Sequence, residues 1–157
     1  MTVVLETHGL VKRFGGITAT QNVNLQVAAG ARHALIGPNG SGKTTLINLI
    51  TGVLPPTEGR IVRNGQDISN LAPHLRVGKG LVRTFQINQL FSSMTPREAL
   101  ATVVSQHKGI GVRWWQALGR DAAVVQRCDE LLAQLHLSDV QNVRTDRLPY
   151  GKRRLLE

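Results

Sequence analysis

Cysteine is almost absent from this chain of 157 residues. Cys128 is the only one, so no internal disulfide can form, and one thiol cannot build a metal site alone. We expect Cys128 to pack as a small apolar side chain. No apolar run approaches the ~20 residues that a membrane-spanning helix needs. The start, Met1 to Glu6, has no basic flank and reaches an acidic residue at once, unlike a signal peptide. These absences predict a cytoplasmic protein.

Acidic residues are also scarce, with 10 against 19 lysines and arginines and a net charge of +9. Such a balance can indicate a nucleic-acid or anionic membrane partner. The basic residues are scattered, however, apart from one group near the end of the chain: Arg144, Arg147, Lys152, Arg153 and Arg154. We therefore do not expect nucleic acid to be a partner. The 41% hydrophobic and 18% charged content fits a folded globular protein.

The first part of the chain carries mostly strand and turn patterns, and the part after residue 90 carries helical ones. We predict an edge strand over 3–14, short strands over 24–27, 32–36 and 81–85, a helix over 44–51, and a hairpin over 60–68 around Asn64-Gly65. Thr95, Pro96 and Glu98 form a helix start with a capping box. A second amphipathic helix is predicted from Asp121 to Leu135.

A glycine-rich loop follows the predicted strand 32–36 and precedes the predicted helix. It reads Gly37-Pro38-Asn39-Gly40-Ser41-Gly42-Lys43-Thr44-Thr45 and matches G-x-x-x-x-G-K-[ST]. Glycines let successive N–H groups turn toward phosphate oxygens, and the helix adds its positive end. Lys43 would reach the β- and γ-phosphates, and the Thr44 hydroxyl would bind Mg²⁺. The alternative is a structural glycine turn before a helix. The motif by itself does not choose among kinases, GTPases and ATP-driven machines.

Further segments, in order along the whole chain, resemble those of ABC-type ATPases. After the loop come a small hairpin, a Q-loop and a signature segment: Pro55-Pro56-Thr57-Glu58-Gly59 with Asn64-Gly65, then Arg83-Thr84-Phe85-Gln86, then Leu148-Pro149-Tyr150-Gly151-Lys152-Arg153-Arg154. Tyr150, Phe85-Gln86 and the long helical stretch between them are most similar to the branched-chain amino acid import branch.

The resemblance implies an α/β fold: a P-loop NTPase core with an N-terminal antiparallel β subdomain and an inserted α-helical subdomain. Residues 1–90 would form the nucleotide-binding core and the antiparallel part, with the Walker A loop and the Q-loop. Residues 91–147 would form the α-helical subdomain, and residues 148–157 the signature segment and the start of its helix. The Walker B half of the sheet would be missing.

The resemblance also assigns roles to single residues. Phe14 would stack on adenine, and Lys43 and Gln86 would be catalytic, with Gln86 also contacting Mg²⁺ or positioning the attacking water. Tyr150 and Gly151 would approach the nucleotide held by a second subunit. Each has a plainer alternative: a core phenylalanine for Phe14, a solvated loop glutamine for Gln86, and an ordinary turn glycine for Gly151.

The signature segment departs from the commonest family form. Pro149 stands in place of a serine and removes a hydroxyl donor, and Lys152 stands in place of a glutamine. The added charge of Lys152 and Arg153 can meet phosphate. It can equally be a solvated basic run.

An apolar strand ending in Asp-Glu and a later switch histidine, both required for hydrolysis in this family, do not follow the signature segment. Asp129-Glu130 lies inside an amphipathic helical pattern and is not that strand. We therefore expect a truncated chain that binds Mg-ATP at best and hydrolyses it negligibly.

The resulting expectation is the ATP-binding subunit of a membrane importer, using ATP and Mg²⁺, for branched-chain or related amino acids. Its partners would be a second ATPase subunit, identical or not, integral membrane permease subunits and, indirectly, a substrate-binding protein. It would lie on the cytoplasmic face of the membrane. Trp114 and Trp115 would either face that membrane partner or pack internally. The alternatives are a soluble ABC-type ATPase acting on nucleic acid or ribosomes, a P-loop GTPase or small kinase, and a non-hydrolysing ATP-binding module.

Overall fold

The computed structural model describes residues 2–84, 90–109 and 121–156. The chain divides into two compact units, Met1–Arg83 and Thr84–Glu157. Among the described residues, every helix is too short or too polar to cross a bilayer.

The first unit contains a four-stranded antiparallel sheet with the order β2-β1-β3-β4. Its strands are β1 Val3–Phe14, β2 Ile17–Ala28, β3 Glu58–Arg63 and β4 Gln66–Asp67. The prediction that β1 is an edge strand is wrong, because β1 pairs with β2 on one side and with β3 on the other. The hydrophobic pattern does not indicate this central position, because one of the buried residues of β1 is polar. Thr7 is buried and its hydroxyl donates to the Val23 carbonyl oxygen at 2.9 Å.

The hairpin predicted around Asn64-Gly65 is confirmed. Arg63 pairs with Gln66 across the two-residue turn, and Asn64 and Gly65 have φ values of 48° and 76°. Two consecutive positive φ values are the geometry of a type I′ turn, which suits the twist of antiparallel strands.

Two predicted strands are not formed. Residues 32–36 and 81–84 have no strand structure, and Leu35 and Ile36 are 49% and 88% exposed. A strand requires a neighbour that takes up its backbone hydrogen bonds, and no described strand pairs with either segment. The last residue of the second prediction, Phe85, lies outside the described residues.

Helix α1, Lys43–Ile50, follows the glycine-rich loop and confirms the helix predicted there. Its apolar face packs on the sheet in one core cluster: Leu10, Leu46, Leu49, Ile50, Ile61 and Ile68. The short helix α2, Pro73–Gly78, follows β4. The core therefore holds the helix that begins at the candidate phosphate loop.

The second unit is helical, with α3 Pro96–His107, α4 Ala122–Gln134 and α5 Tyr150–Leu156. Short 3-10 turns occur at Ser138–Val140 and Thr145–Arg147. One cluster forms its core: Leu100, Val104, Val124, Cys128, Leu132 and Leu137. Cys128 is 2% exposed, as predicted for a small apolar side chain, and burial raises the pKa of its thiol.

Side-chain caps start the two longer helices of this unit. The Thr95 hydroxyl accepts from the Glu98 N–H at 3.3 Å, while the Glu98 carboxylate accepts from the Thr95 N–H at 2.8 Å. This confirms the predicted capping box. Asp121 accepts from two backbone N–H groups at the start of α4.

Replacing Thr95 with alanine should destabilise the second unit by about 1 kcal/mol, because the N-cap acceptor is lost. Urea unfolding followed by circular dichroism at 222 nm would measure the change. Thr102→Ala on the same helix is the matched control, since its hydroxyl only bonds back to the Glu98 carbonyl oxygen at 2.9 Å. Equal stability of Thr95→Ala and Thr102→Ala would contradict the assignment.

Candidate nucleotide-binding site

At the last position of the loop before α1, the backbone conformation is one that only glycine accommodates. Gly42 is the N-cap of α1 and has a φ of 85°. A Cβ added there would meet the Ala19 carbonyl oxygen at under 3.0 Å. Gly40 has a similar φ of 82°, but a Cβ there would meet nothing within 4 Å. The left-handed turn at Gly42 therefore brings the start of α1 directly against strand β2.

The Lys43 side chain turns back over the loop. Its ammonium donates to the carbonyl oxygens of Gly37 at 2.8 Å and Pro38 at 2.6 Å, and lies 3.5 Å from the Ser41 hydroxyl. The structure thus brings four of the predicted site residues together. A charged oxygen is a stronger partner for an ammonium than a neutral carbonyl, so the geometry suits exchange of these contacts for phosphate oxygens.

The N-terminus of α1 has no side-chain cap and no acidic residue in its first turn. Its first N–H groups and the positive end of the helix dipole therefore lie at the exposed loop that contains Asn39 and Ser41. Thr44 is exposed and Thr45 is half-buried. An ammonium, backbone N–H groups and a hydroxyl are a donor set that fits a polyphosphate with Mg²⁺.

Phe14 ends strand β1 and is 46% exposed, so it is not a core phenylalanine. The Lys12 ammonium lies 5.3 Å from the centre of its ring, within cation–π range, and donates to the Pro55 carbonyl oxygen at 2.7 Å. Phe14 pairs with Ile17 at the turn of the β1–β2 hairpin. Ala19 of the same hairpin abuts Gly42, so this hairpin contacts the glycine-rich loop.

A buried arginine of α2, not expected from the sequence, bonds to the opposite end of α1. The Arg76 guanidinium is 1% exposed and donates to four backbone carbonyl oxygens, those of Leu49, Ile50, Ser69 and Leu71. Its apolar neighbours Leu75 and Val77 are 50% and 53% exposed. The charged residue is buried and its apolar neighbours are exposed, the reverse of the usual distribution, so the hydrophobic pattern does not predict the burial of Arg76.

Arg83 makes a second polar contact with α1. Its Nη1 donates to Oδ1 of Asn48 at 2.6 Å. Arg83 precedes Gln86 by three residues, and Gln86, predicted to bind Mg²⁺ or the attacking water, lies outside the described residues, as do Trp114 and Trp115.

The predicted signature residues belong to the second unit and begin α5. Tyr150 is 64% exposed, Gly151 is exposed, and a Cβ at Gly151 would meet nothing within 4 Å. Packing within this unit therefore does not require glycine at position 151.

The Lys152 ammonium bonds to two other residues of the second unit. It donates to the His136 carbonyl oxygen at 2.6 Å and to the Asp139 carboxylate at 3.0 Å. This hydrogen bond lowers the pKa of Asp139. The sequence predicts a phosphate contact or a solvated charge at Lys152, and nothing in it indicates this ion pair.

Comparison with known proteins gives consistent results. Residues 20–157 match the sequence model of the family described as ABC transporter. The chain is 37% identical to the high-affinity branched-chain amino acid transport ATP-binding protein BraF of Pseudomonas aeruginosa, over 98% of this chain and 62% of that protein. It is 35% identical to the probable branched-chain amino acid transport ATP-binding protein LivG of Archaeoglobus fulgidus, over 98% and 61%.

Solved structures are similar as well. An ATP-binding cassette of an ABC transporter in its ADP conformation has a TM-score of 0.79 and 32% identity, covering 99% of this chain and 63% of that one. A nucleotide-free ATP-binding cassette from an ABC transporter has a TM-score of 0.72 and 32% identity, covering 99% and 66%. The chain thus spans less than two thirds of the length of these proteins.

Gly40 and Gly42 provide a matched pair of substitutions in the loop. Gly40→Ala should cost about 1–2 kcal/mol, the penalty for a side chain in the left-handed region. Gly42→Ala should cost a further ~1–3 kcal/mol, because its Cβ also collides with the Ala19 carbonyl. Urea unfolding of both variants would measure the difference. Equal destabilisation would show that the close approach to Ala19 does not constrain the loop.

Proposed function

Because the chain belongs to the ABC transporter family, we propose that it is part of the ATP-binding subunit of an importer for branched-chain or related amino acids. The observation that carries the proposal is the Lys43 ammonium folded over the loop at the uncapped start of α1. The named function of the relatives, branched-chain amino acid transport, supports the substrate class.

Each part of Mg-ATP would be held by a different group of residues. Lys43 and the first N–H groups of α1 would bind the phosphates, with the loop residues Gly37 to Gly42 around them. The Thr44 hydroxyl would bind Mg²⁺, whose charge would offset that of the phosphates. The Phe14 ring would stack on adenine, a contact worth ~1–3 kcal/mol per base in nucleic-acid complexes. Gln86, outside the described residues, would contact Mg²⁺ or orient the attacking water.

The assembly we propose contains two ATPase subunits, identical or related. Tyr150 and Gly151 of one subunit would face the nucleotide on the other, and the open space around Gly151 is compatible with such an approach. Membrane permease subunits would receive the motion through the Gln86 loop and residues 91–144. The subunit would lie on the cytoplasmic face of the membrane, with a substrate-binding protein acting on the permease.

Hydrolysis by these 157 residues alone is not expected. Family members hydrolyse ATP with an Asp-Glu pair at the end of an apolar strand. Here Asp129 and Glu130 lie within helix α4, where Asp129 pairs with Arg97 at 2.6 Å and Glu130 with Arg127 at 2.8 Å. Both carboxylates are thus surface ion-pair partners on a helix, and we propose that the chain binds Mg-ATP without efficient turnover.

Lys43→Ala should reduce Mg-ATP affinity at least tenfold, equivalent to ~1.4 kcal/mol, because a charged phosphate contact is lost. Isothermal titration calorimetry on the chain would measure it. Lys79→Ala is the matched control, because Lys79 is an exposed lysine of the same unit that bonds to Gln66 at 3.0 Å. Unchanged affinity of Lys43→Ala would overturn the proposed phosphate site.

Phosphate release from Mg-ATP by the chain should stay at the rate of the buffer control under conditions in which calorimetry shows binding. Raising the concentration of the chain, so that two copies can associate, should not produce phosphate release, since both copies have the same residues. Turnover that depends on Lys43 would contradict the assignment of this chain as a binding portion.

A further inference from the structure

Helix α1 carries the proposed phosphate contacts at one end and is anchored by a buried arginine at the other. It has 8 residues, so the two ends are about 12 Å apart at 1.5 Å per residue. A helix this short is not stable alone in water, and its orientation is set by the groups that hold it.

The Arg76 guanidinium holds the C-terminal end. Nη1 donates to the carbonyl oxygens of Leu49 at 2.8 Å and Ile50 at 2.7 Å, at the end of α1. Nη2 donates to the Ser69 carbonyl oxygen at 2.8 Å, and Nε to that of Leu71 at 2.9 Å. One planar group thereby fixes the end of α1 to the segment between β4 and α2.

The charge of Arg76 also suits its position. The C-terminal end of a helix carries a partial negative charge, and a cation there is stabilising. Burial lowers the pKa of Arg76, whereas the nearby Asp67 carboxylate acts in the opposite direction. Arginine remains ionised in proteins, so its four carbonyl partners must supply the solvation that water would otherwise give.

The chain leaves space for the guanidinium at a second place. Gly52, two residues beyond α1, has a φ of 80°, and a Cβ there would lie 2.7 Å from Nε of Arg76. The chain therefore leaves α1 through a left-handed glycine that keeps the guanidinium site open. Two separate sequence positions, 52 and 76, are thus adapted to one contact.

We propose that Arg76 is a positioning residue for nucleotide binding. By holding the carbonyl end of α1, it keeps the N–H end, Lys43 and Thr44 directed at the phosphates. This inference rests on the proposed function, because it concerns the same phosphate site. A shift of ~1 Å in the placement of binding groups is enough to cost up to 10²-fold in function, so loosening the far end of a two-turn helix should be measurable at the near end.

The test is calorimetric titration of the chain with Mg-ATP, which separates affinity from the folded fraction. Unfolding lowers the apparent number of sites, whereas misplacement of α1 raises the Kd of the folded molecules. We expect Arg76→Met to raise the Kd about tenfold, or ~1.4 kcal/mol, at unchanged stoichiometry. Arg76→Lys, which keeps the charge but not the planar fork, should fall between Arg76→Met and wild type.

Arg60→Met is the matched control, because Arg60 is an exposed arginine on β3 of the same unit. Its Kd should equal that of the wild type. If Arg76→Met does not fold, Arg76→Lys and Gly52→Ala, each perturbing the same contact, carry the test through their Kd values. Wild-type Kd in the folded variants, with only a lower melting temperature, would overturn the inference while leaving the proposed function intact. Failure of the wild-type chain to bind Mg-ATP would overturn both.

Discussion

Helix α1 is held at both of its ends, and the organisation of the first unit depends on this constraint. At its start, the left-handed turn of Gly42 brings it against the Ala19 carbonyl of the β1–β2 hairpin. At its end, Arg76 bonds to its last carbonyl oxygens. Between these points Leu46, Leu49 and Ile50 pack on the sheet. A two-turn helix would not otherwise persist, and the loop before it takes its geometry from where the helix begins.

Two basic residues lie at the two ends of helix α1. Lys43 lies at the positive end of α1, where the helix needs an anion, and Arg76 lies at the negative end, where it needs a cation. The first unit therefore supplies a hydrogen-bonding partner for the C-terminal carbonyl oxygens of α1, whereas the N-terminal N–H groups face the exposed loop. Elsewhere the excess of basic residues is partly paired on the surface, as in Arg144–Asp146 and Lys152–Asp139. Such exposed pairs contribute little to stability, and they leave less of the basic group near the end of the chain available to an anionic partner.

Features encoded over a few neighbouring residues were predictable from the sequence. The Asn64-Gly65 turn, the Thr95 capping box and the helix after the glycine loop each depend on local backbone preferences, and each is formed as predicted. Features that depend on distant neighbours were not predictable. The central position of β1 depends on both β2 and β3, and the segments 32–36 and 81–84 have strand-like composition but no described strand beside them.

The candidate site divides in the same way. The loop motif and Lys43 could be singled out from the sequence, because residue type and spacing are enough to predict a phosphate-binding loop. The burial of Arg76 could not be predicted, because its four acceptors are backbone carbonyl oxygens and the pattern of side chains does not indicate where these lie. The same holds for the Lys152–Asp139 pair, whose partners are brought together by the fold of the second unit.

The most direct test of the account is to follow the backbone amide resonances of the ¹⁵N-labelled chain during titration with Mg-ATP. The amides of residues 39–45 donate to the phosphates in this account, so they should show the largest saturable shift changes. Lys43→Ala should abolish those changes. Saturable shifts confined to residues 144–154, with the loop amides unchanged, would place the anion on the basic group of the second unit and contradict the central claim.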